Sequence, residues 1–133
     1  MEAERVIIHA DGASLGNPGP AAIGATIKDE QGRLVARISQ RIGRATNNQA
    51  EYRAIVAALE EATRLGAKQV DINLDSELVV RQISGQYRVR KASLKPLYYR
   101  VKQLQGLLKS FTINHVPRRQ NIEAHNLAKI ALN

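Results

Sequence analysis

The spacing of hydrophobic and polar residues changes several times along the chain, and each change marks a predicted element. A β-branched run at residues 6–10 predicts a buried strand that delivers Asp11 at its C-terminal end. Residues 21–28 and 33–42 alternate as two further strands on either side of an Asp-Glu-Gln-Gly turn. We therefore expect three consecutive antiparallel strands at the start of the chain.

The second half of the chain switches between helical and strand spacing. Apolar residues recur every three or four positions over residues 48–65, with Thr46 or Asn47 as the N-cap, which predicts a long helix. The elements predicted after it are a strand at 70–74, a short helix at 77–83, a helix at 94–108, a strand at 111–116 and a closing helix at 122–132. This βββαβααβα order predicts a mixed five-stranded sheet with helices on both faces, an α/β (α+β mixed) fold forming a single domain over residues 1–133.

Composition and charge narrow the class of protein. With 133 residues, 44% hydrophobic and 24% charged, the chain suits one folded domain with one core. Twenty Lys and Arg against twelve Asp and Glu give a net charge of +8, which favours a partner made of phosphates. The absence of cysteine excludes disulfides and thiolate zinc sites. Because three of the first five residues are charged and no 18-residue apolar run follows, we expect a cytoplasmic location and no membrane partner. We also expect a monomer.

Three carboxylates occupy positions that a metal site built on a sheet would use. Asp11 follows the first predicted strand, Asp75 follows the fourth, and Glu51 falls in the first turn of the long helix. Carboxylate oxygens are the ligands that Mg²⁺ prefers, and Mg²⁺ needs neither His nor Cys. Asp is equally common in turns and at helix caps, so the spacing alone leaves a structural role for Asp11 and Asp75 open.

Longer strings of residues favour the metal site. The segments Asp11-Gly12-Ala13-Ser14-Leu15-Gly16-Asn17-Pro18-Gly19-Pro20 and Thr46-Asn47-Asn48-Gln49-Ala50-Glu51 closely resemble the two signature segments of the type 1 ribonuclease H family. Leu74-Asp75-Ser76 is similar to its third acidic element, and residues 115–124 are similar to its active-site loop and last helix. The resemblance extends over residues 5–131. It implies a ribonuclease H-like fold and an endonuclease that hydrolyses the RNA strand of an RNA/DNA hybrid by two-metal-ion catalysis.

The resemblance also implies a ligand set with one departure from the family. Asp11, Glu51 and Asp75 match metal ligands, whereas the fourth ligand position, an Asp in the family, carries His125. Imidazole is a poor ligand for Mg²⁺ and a better one for Mn²⁺, so we expect two Mg²⁺ or Mn²⁺ ions with the second site weakened and the metal preference altered. The alternative is that His125 points to solvent and activity is merely reduced.

Further residues are implied to act on the substrate. His115 lies ten residues before His125, the spacing of a family histidine that assists proton transfer or release of metal and product. Arg118 is a second candidate for this role, and a histidine at a strand end is also commonly structural. Contacts with 2′-hydroxyls, base edges or a DNA phosphate are implied for Gly12, Ser14, Asn17, Thr46, Asn48 and Gln49.

A basic segment follows the fourth strand where longer family members carry a Trp-containing protrusion. Its residues are Arg81, Arg88, Arg90, Lys91 and Lys95, and it contains no Trp. Such a run is often a solvated face. We expect it to act as a reduced handle that gives weaker and more salt-sensitive hybrid binding.

Two other functions stay open at this point. One is a module that binds hybrids or double-stranded RNA on the same fold with weak or lost catalysis, and His125 is its main support. The other is an exonuclease on the same fold, which the match of the glycine-rich loop and the 46–51 string to the hybrid-cutting branch makes less favourable.

Overall fold

The secondary structure follows the predicted order of elements. The computed structural model describes residues 4–133, so residues 1–3 of the predicted domain lie outside the described part. The strands are β1 (Arg5–Ser14), β2 (Gly19–Lys28), β3 (Leu34–Ala45), β4 (Gln69–Leu74) and β5 (Ser110–His115). The helices are α1 (Asn47–Arg64), α2 (Glu77–Ile83), α3 (Lys95–Gln105) and α4 (Ile122–Leu132), with a 3₁₀ turn at Arg118–Gln120. The βββαβααβα prediction is confirmed.

The five strands form one mixed sheet in the order β3-β2-β1-β4-β5. The first three strands are antiparallel neighbours, whereas β4 runs parallel to β1 and β5 runs parallel to β4. Parallel neighbours need a crossover, which α1 provides before β4 and which α2 and α3 provide between β4 and β5. The C-terminal ends of β4 and β5 therefore lie at one edge of the sheet, beside the C-terminal half of β1.

Two glycines bring helices against opposite faces of this sheet. A Cβ on Gly12 would lie 2.2 Å from the backbone carbon of Ala50 in α1. A Cβ on Gly24 would lie 2.2 Å from the carbonyl oxygen of Ala124 in α4. Gly24 is paired with Asp11 across β1 and β2, so the Asp11 side chain points to the α4 face and the next residue, Gly12, points to the α1 face. The prediction of helices on both faces is confirmed.

The main core fills the space between the sheet and the helices on the α1 face, and its side chains are mostly aliphatic. Ile8 and Ile72 from the sheet and Ile55 and Leu59 from α1 are almost fully buried. The one aromatic ring at the centre is Tyr52, whose hydroxyl donates to the side-chain oxygen of Gln82 at 2.8 Å. No helix in the described chain is both long and apolar enough to cross a membrane.

Several predicted boundaries are wrong, and two of them affect the site. The first strand does not end at Asp11, because small residues continue its antiparallel ladder with β2 as far as Ser14. Asp11 therefore lies inside a strand, just past the last residue of β1 that pairs with β4. Helix α1 begins at Asn47, so Glu51 lies in its second turn rather than its first. Strand β3 continues to Ala45, beyond Gly43 at φ +79°, and α3 ends at Gln105.

Candidate metal centre

Three carboxylates meet at the edge of the sheet where the sequence predicted them. Asp11 of β1, Glu51 of α1 and Asp75 after β4 each place a side-chain oxygen within 4.8 Å of the other two. Asp11 is 1% exposed and Glu51 is 7% exposed. The fold thus gathers three anionic groups, two of them buried, from positions far apart in the sequence.

The local backbone explains how Glu51 reaches Asp11. Because Gly12 has no side chain, α1 packs directly against β1, and the Gly12 amide donates to Oε1 of Glu51 at 3.1 Å. Thr46 fixes the start of the helix through a capping box with Gln49, in which each side chain accepts from the other residue's backbone amide. The predicted Thr46 cap is confirmed, and it sets the position of Glu51 one turn later.

Burial and mutual repulsion perturb the two inner carboxyl groups. Burial raises the pKa of Glu51 well above its usual range, and the nearby Asp11 charge raises it further. Burial also raises the pKa of Asp11, although the adjacent Glu51 and His125 side chains oppose that shift. Both groups therefore favour proton uptake unless a cation neutralises them.

The donor set fits a hard divalent cation. Oδ1 of Asp11 and Oε2 of Glu51 are buried and receive no hydrogen bond within the described chain. A buried oxygen without a donor is unfavourable by about 1–3 kcal/mol. A divalent ion bound to these oxygens would remove that penalty, and carboxylate oxygen is the ligand type that Mg²⁺ and Mn²⁺ accept.

His125 lies beside this cluster. Its Nδ1 is 2.9 Å from Oδ2 of Asp11, and its side chain is 27% exposed. Among the described residues, the set of mutually close ligand atoms consists of the three carboxylates and does not extend to His125. The structure therefore brings His125 to a predicted ligand, while direct ligation of a metal stays a prediction.

Arg118 contacts both Asp75 and His125. Its Nε donates to Oδ2 of Asp75, and its Nη1 lies 3.0 Å from Nδ1 and 3.4 Å from Nε2 of His125. The side chain of Asp75 is 7% exposed and that of Arg118 is 54% exposed. A half-exposed cation thus covers a largely buried carboxylate.

A cleft of about 370 Å³ opens above the cluster. The predicted site residues that line it are Asp11, Gly12, Ser14, Asn48, Glu51, Asp75, Arg118 and His125. Some of their polar groups are already engaged: the Gly12 amide donates to Glu51, and the Ser14 hydroxyl donates to the Ala45 carbonyl at 2.9 Å. The cleft has the acidic floor and the polar rim that a metal-bound phosphate would need.

Four predicted site residues are not among those lining the cleft. Asn17 accepts from the Asn47 amide at 3.0 Å through Oδ1, which ties the glycine-rich loop to the start of α1. Thr46 and Gln49 form the capping box. His115 is exposed at the end of β5 and pairs in register with Leu74, the residue before Asp75. Substrate roles for these four stay predictions.

Other residues at the cleft were not predicted as site residues from the sequence. Asn47 and Ser76 line it, and both belong to helix N-termini that cap signals can identify. Asn121, which lies outside the cleft lining, is buried and donates from Nδ2 to the Ala10 carbonyl at 2.9 Å. The backbone carbonyl of Asn121 accepts from the His125 amide. Asn121 therefore joins β1 to the first turn of α4, a contact with no sequence signal.

One cation of the basic segment makes contacts within the described chain, whereas the other four form no ion pair there. Arg81 is engaged, since it pairs with Glu77 at 3.0 Å and stacks on the Tyr87 ring at 5.5 Å. The remaining four cations of this segment are exposed and form no ion pair within the described chain: Arg88, Arg90, Lys91 and Lys95. Their charges are free for a polyanion.

Comparisons with known proteins agree with this geometry. The pattern of a family described as reverse transcriptase-like matches residues 9–131. A bifunctional protein of Mycobacterium tuberculosis is 42% identical over 129 residues, which cover 96% of this chain and 35% of that protein. Ribonuclease HI of Halobacterium salinarum is 43% identical over 128 residues, covering 96% of this chain and 64% of that protein. The chain thus spans about a third of the length of the mycobacterial relative.

Solved structures give the same result. The N-terminal ribonuclease H domain of the mycobacterial protein superposes with a TM-score of 0.94, at 97% coverage of this chain and 99% of that one. Ribonuclease H1 of Halobacterium salinarum also gives 0.94 at 43% identity, with coverages of 96% and 97%. The LC11 ribonuclease H1, solved with an RNA/DNA hybrid, gives 0.91 at 38% identity and 96% coverage of both chains. The chain therefore belongs to the reverse transcriptase-like family and, within it, to the type 1 ribonuclease H family that its sequence resembles.

Proposed function

We propose that this chain is a divalent-metal-dependent endoribonuclease that hydrolyses the RNA strand of RNA/DNA hybrids. The observation that carries the proposal is the pair of buried, undonated oxygens on Asp11 and Glu51, in a cluster completed by Asp75. Such a cluster is unfavourable as an empty structural feature and favourable as a cation site. The proposal requires cleavage that a chelator abolishes.

The residues that would hold the metal are Asp11, Glu51 and Asp75, with His125 as the weaker member of a second site. Divalent ions bound there would supply Lewis-acid stabilisation of the phosphate and a lowered pKa for water. Gly12 keeps Glu51 aimed at Asp11 through its amide. The Asn121 side chain holds the first turn of α4, and hence His125, against β1.

Recognition of a hybrid would rest on the cleft rim and the basic segment. Asn48 and the backbone at Gly12 lie on the rim, where close approach to a shallow minor groove and its 2′-hydroxyls is possible. The four free cations at Arg88, Arg90, Lys91 and Lys95 would contact phosphates. Support comes from the LC11 relative, which is similar over almost the whole chain and is solved with a hybrid.

The test is a cleavage assay with three labelled duplexes: an RNA/DNA hybrid, double-stranded RNA and duplex DNA. Each is incubated with the purified protein in Mg²⁺, Mn²⁺ or chelator, with Asp11→Asn as a control that keeps the side-chain shape and removes the charge. We expect internal cuts in the RNA strand of the hybrid with metal only, and none by the control. A hybrid left intact in both metals would refute the proposal.

A second candidate function is a binding module whose catalysis has lapsed. The observation in its favour is that His125, in the position of a family carboxylate, lies against Asp11 and Arg118 and so brings no negative charge to the cluster. Binding of the hybrid without cleavage in either metal would identify this function. Cleavage in Mn²⁺ alone would instead favour an enzyme with an altered metal preference.

A further inference from the structure

The contacts of the cluster divide its oxygens into two groups. Oδ1 of Asp11 and Oε2 of Glu51 receive no donor within residues 4–133. Oδ2 of Asp11 faces Nδ1 of His125 at 2.9 Å, and Oδ2 of Asp75 accepts from Arg118. Oδ1 of Asp11 and Oε2 of Glu51 are therefore open to a cation, whereas Oδ2 of Asp11 and Oδ2 of Asp75 already face nitrogen groups.

We propose that the Arg118 guanidinium, supported by His125, is an internal counter-cation that neutralises Asp75 and competes with a second divalent ion for that carboxylate. This inference rests on the proposed metal-dependent function of the same cleft. Removing a metal ligand weakens divalent-ion binding, whereas removing the Arg118 side chain strengthens it. The free protein then binds one ion at Asp11 and Glu51, and a second ion binds only after the guanidinium leaves.

The charges and contacts of Arg118 support this competition. A guanidinium is permanently charged and offers several donors in a fixed plane, so one group can contact both Asp75 and His125. Within the part of the chain that the structure describes, those two residues are its side-chain partners. A group held only by the cluster has no competing anchor, and its charge directly opposes that of an incoming cation.

The position of Arg118 also allows it to leave. Its side chain is about half exposed and starts from the short 3₁₀ turn between β5 and α4. A substrate phosphate entering the cleft offers the guanidinium another anion at hydrogen-bonding distance. Transfer of Arg118 from Asp75 to that phosphate would free the carboxylate, which couples arrival of the substrate to binding of the second ion.

The test is a calorimetric titration of the substrate-free protein with MgCl₂ and with MnCl₂. The variants are Arg118→Gln, Arg118→Lys and, as a matched control, Arg119→Gln, which removes the same charge from the next residue. Arg119 is exposed and forms no side-chain hydrogen bond or ion pair among the described residues. A parallel measurement is the rise in melting temperature at saturating metal.

We expect one bound ion in the parent and in Arg119→Gln. In Arg118→Gln we expect a second bound ion, or tightening of the dissociation constant by about tenfold or more, the value of a charge-assisted hydrogen bond. Arg118→Lys keeps the positive charge but not the planar guanidinium. Its affinity for the divalent ion should therefore fall between those of the parent and Arg118→Gln.

Equal affinity and stoichiometry in the parent, Arg118→Gln and Arg119→Gln would overturn the inference. Weaker binding in Arg118→Gln would also overturn it, since Arg118 would then serve to organise the ligands. The titration is independent of cleavage: if the parent cuts no hybrid in either metal, the proposed function fails, while the number of bound ions still decides whether Arg118 competes.

Discussion

His125 and Asp11 face each other across the junction of α4 and β1, with 2.9 Å between Nδ1 and Oδ2. Nδ1 also lies 3.0 Å from Nη1 of Arg118, so the same ring nitrogen faces an acidic and a basic partner. The other nitrogen, Nε2, is 3.4 Å from the Arg118 guanidinium. To act as a metal ligand through Nδ1, His125 would have to give up these contacts, which adds to the weak match between imidazole and Mg²⁺.

Replacing His125 with Asp should therefore shift the metal preference toward Mg²⁺. The variant adds an oxygen ligand next to Asp11, so we expect Mg²⁺-supported cleavage to rise relative to Mn²⁺-supported cleavage by about tenfold. The measurement is the ratio of cleavage rates in the two metals for the parent and His125→Asp. An unchanged ratio would reject a ligand role for position 125.

The same variant makes a prediction about stability without metal. A fourth carboxylate beside Asp11 increases repulsion in the empty cluster, so His125→Asp should melt at a lower temperature than the parent in chelator. Added Mg²⁺ should reverse this order, because a ligand that binds only the folded state stabilises it. Thermal unfolding with and without Mg²⁺ measures both effects, and His125→Asn is the control that adds no charge.

Glu51→Gln should stabilise the metal-free protein increasingly as the pH rises. The folded pKa of Glu51 is raised by burial, so the stabilisation from its bound proton is complete below the ordinary carboxyl pKa and is lost as the pH rises through the folded value. Gln stays neutral throughout. In chelator, the stability of the variant relative to the parent should therefore increase as the pH rises above the ordinary carboxyl range.

Denaturant unfolding at several pH values checks this prediction. The raised pKa of Glu51 would be contradicted if the difference in unfolding free energy between Glu51→Gln and the parent did not change with pH. It would also be contradicted if the variant became less stable relative to the parent as the pH rose. Added Mg²⁺ should stabilise the parent and have little effect on Glu51→Gln, since the variant lacks one of the charges that hold the ion.

Gly24→Ala should displace α4 from the sheet. The added Cβ would meet backbone atoms, the Ala124 carbonyl oxygen at 2.2 Å and the Ala128 amide at 2.5 Å, which no side-chain rotation can relieve. We expect a loss of about 1–3 kcal/mol of unfolding free energy and reduced cleavage, because α4 carries His125. Gly106→Ala is the control, since its Cβ would have ordinary contacts at 3.4 Å or more. Equal unfolding free energies for the two variants would contradict this packing argument.

The affinity for an RNA/DNA hybrid should fall steeply as the salt concentration rises, because the four unpaired cations of the basic segment would contact phosphates. Neutralising Arg90 and Lys91 together should lower affinity and reduce the slope of log affinity against log salt by about two, one for each phosphate contact. Fluorescence anisotropy with a labelled hybrid at several salt concentrations measures the slope. Arg100, which pairs with Glu60 at 2.9 Å, is the control position for loss of a surface arginine. An unchanged slope in the double variant would show that this segment does not contact phosphate.

Much of the fold could be predicted from local patterns. The spacing of apolar residues identified every strand and α-helix in the described chain, because burial on one face imposes a period of two on strands and 3.6 on helices. One boundary that failed was decided by a neighbouring strand: β1 continues past Asp11 because β2 offers paired backbone groups as far as Ser14. Local sequence carries little information about such a partner.

The candidate site divides in the same way. The sequence by itself determined the chemistry: which carboxylates, glycines and polar residues are present, and that position 125 carries His, because these are properties of single residues and short strings. Only the tertiary structure decided that Asp11 and Glu51 each keep a buried oxygen without a donor, while Asp75 is held by Arg118. Those contacts join residues about 40 positions apart, and packing of helices against a sheet, which follows from the whole chain, brings them together.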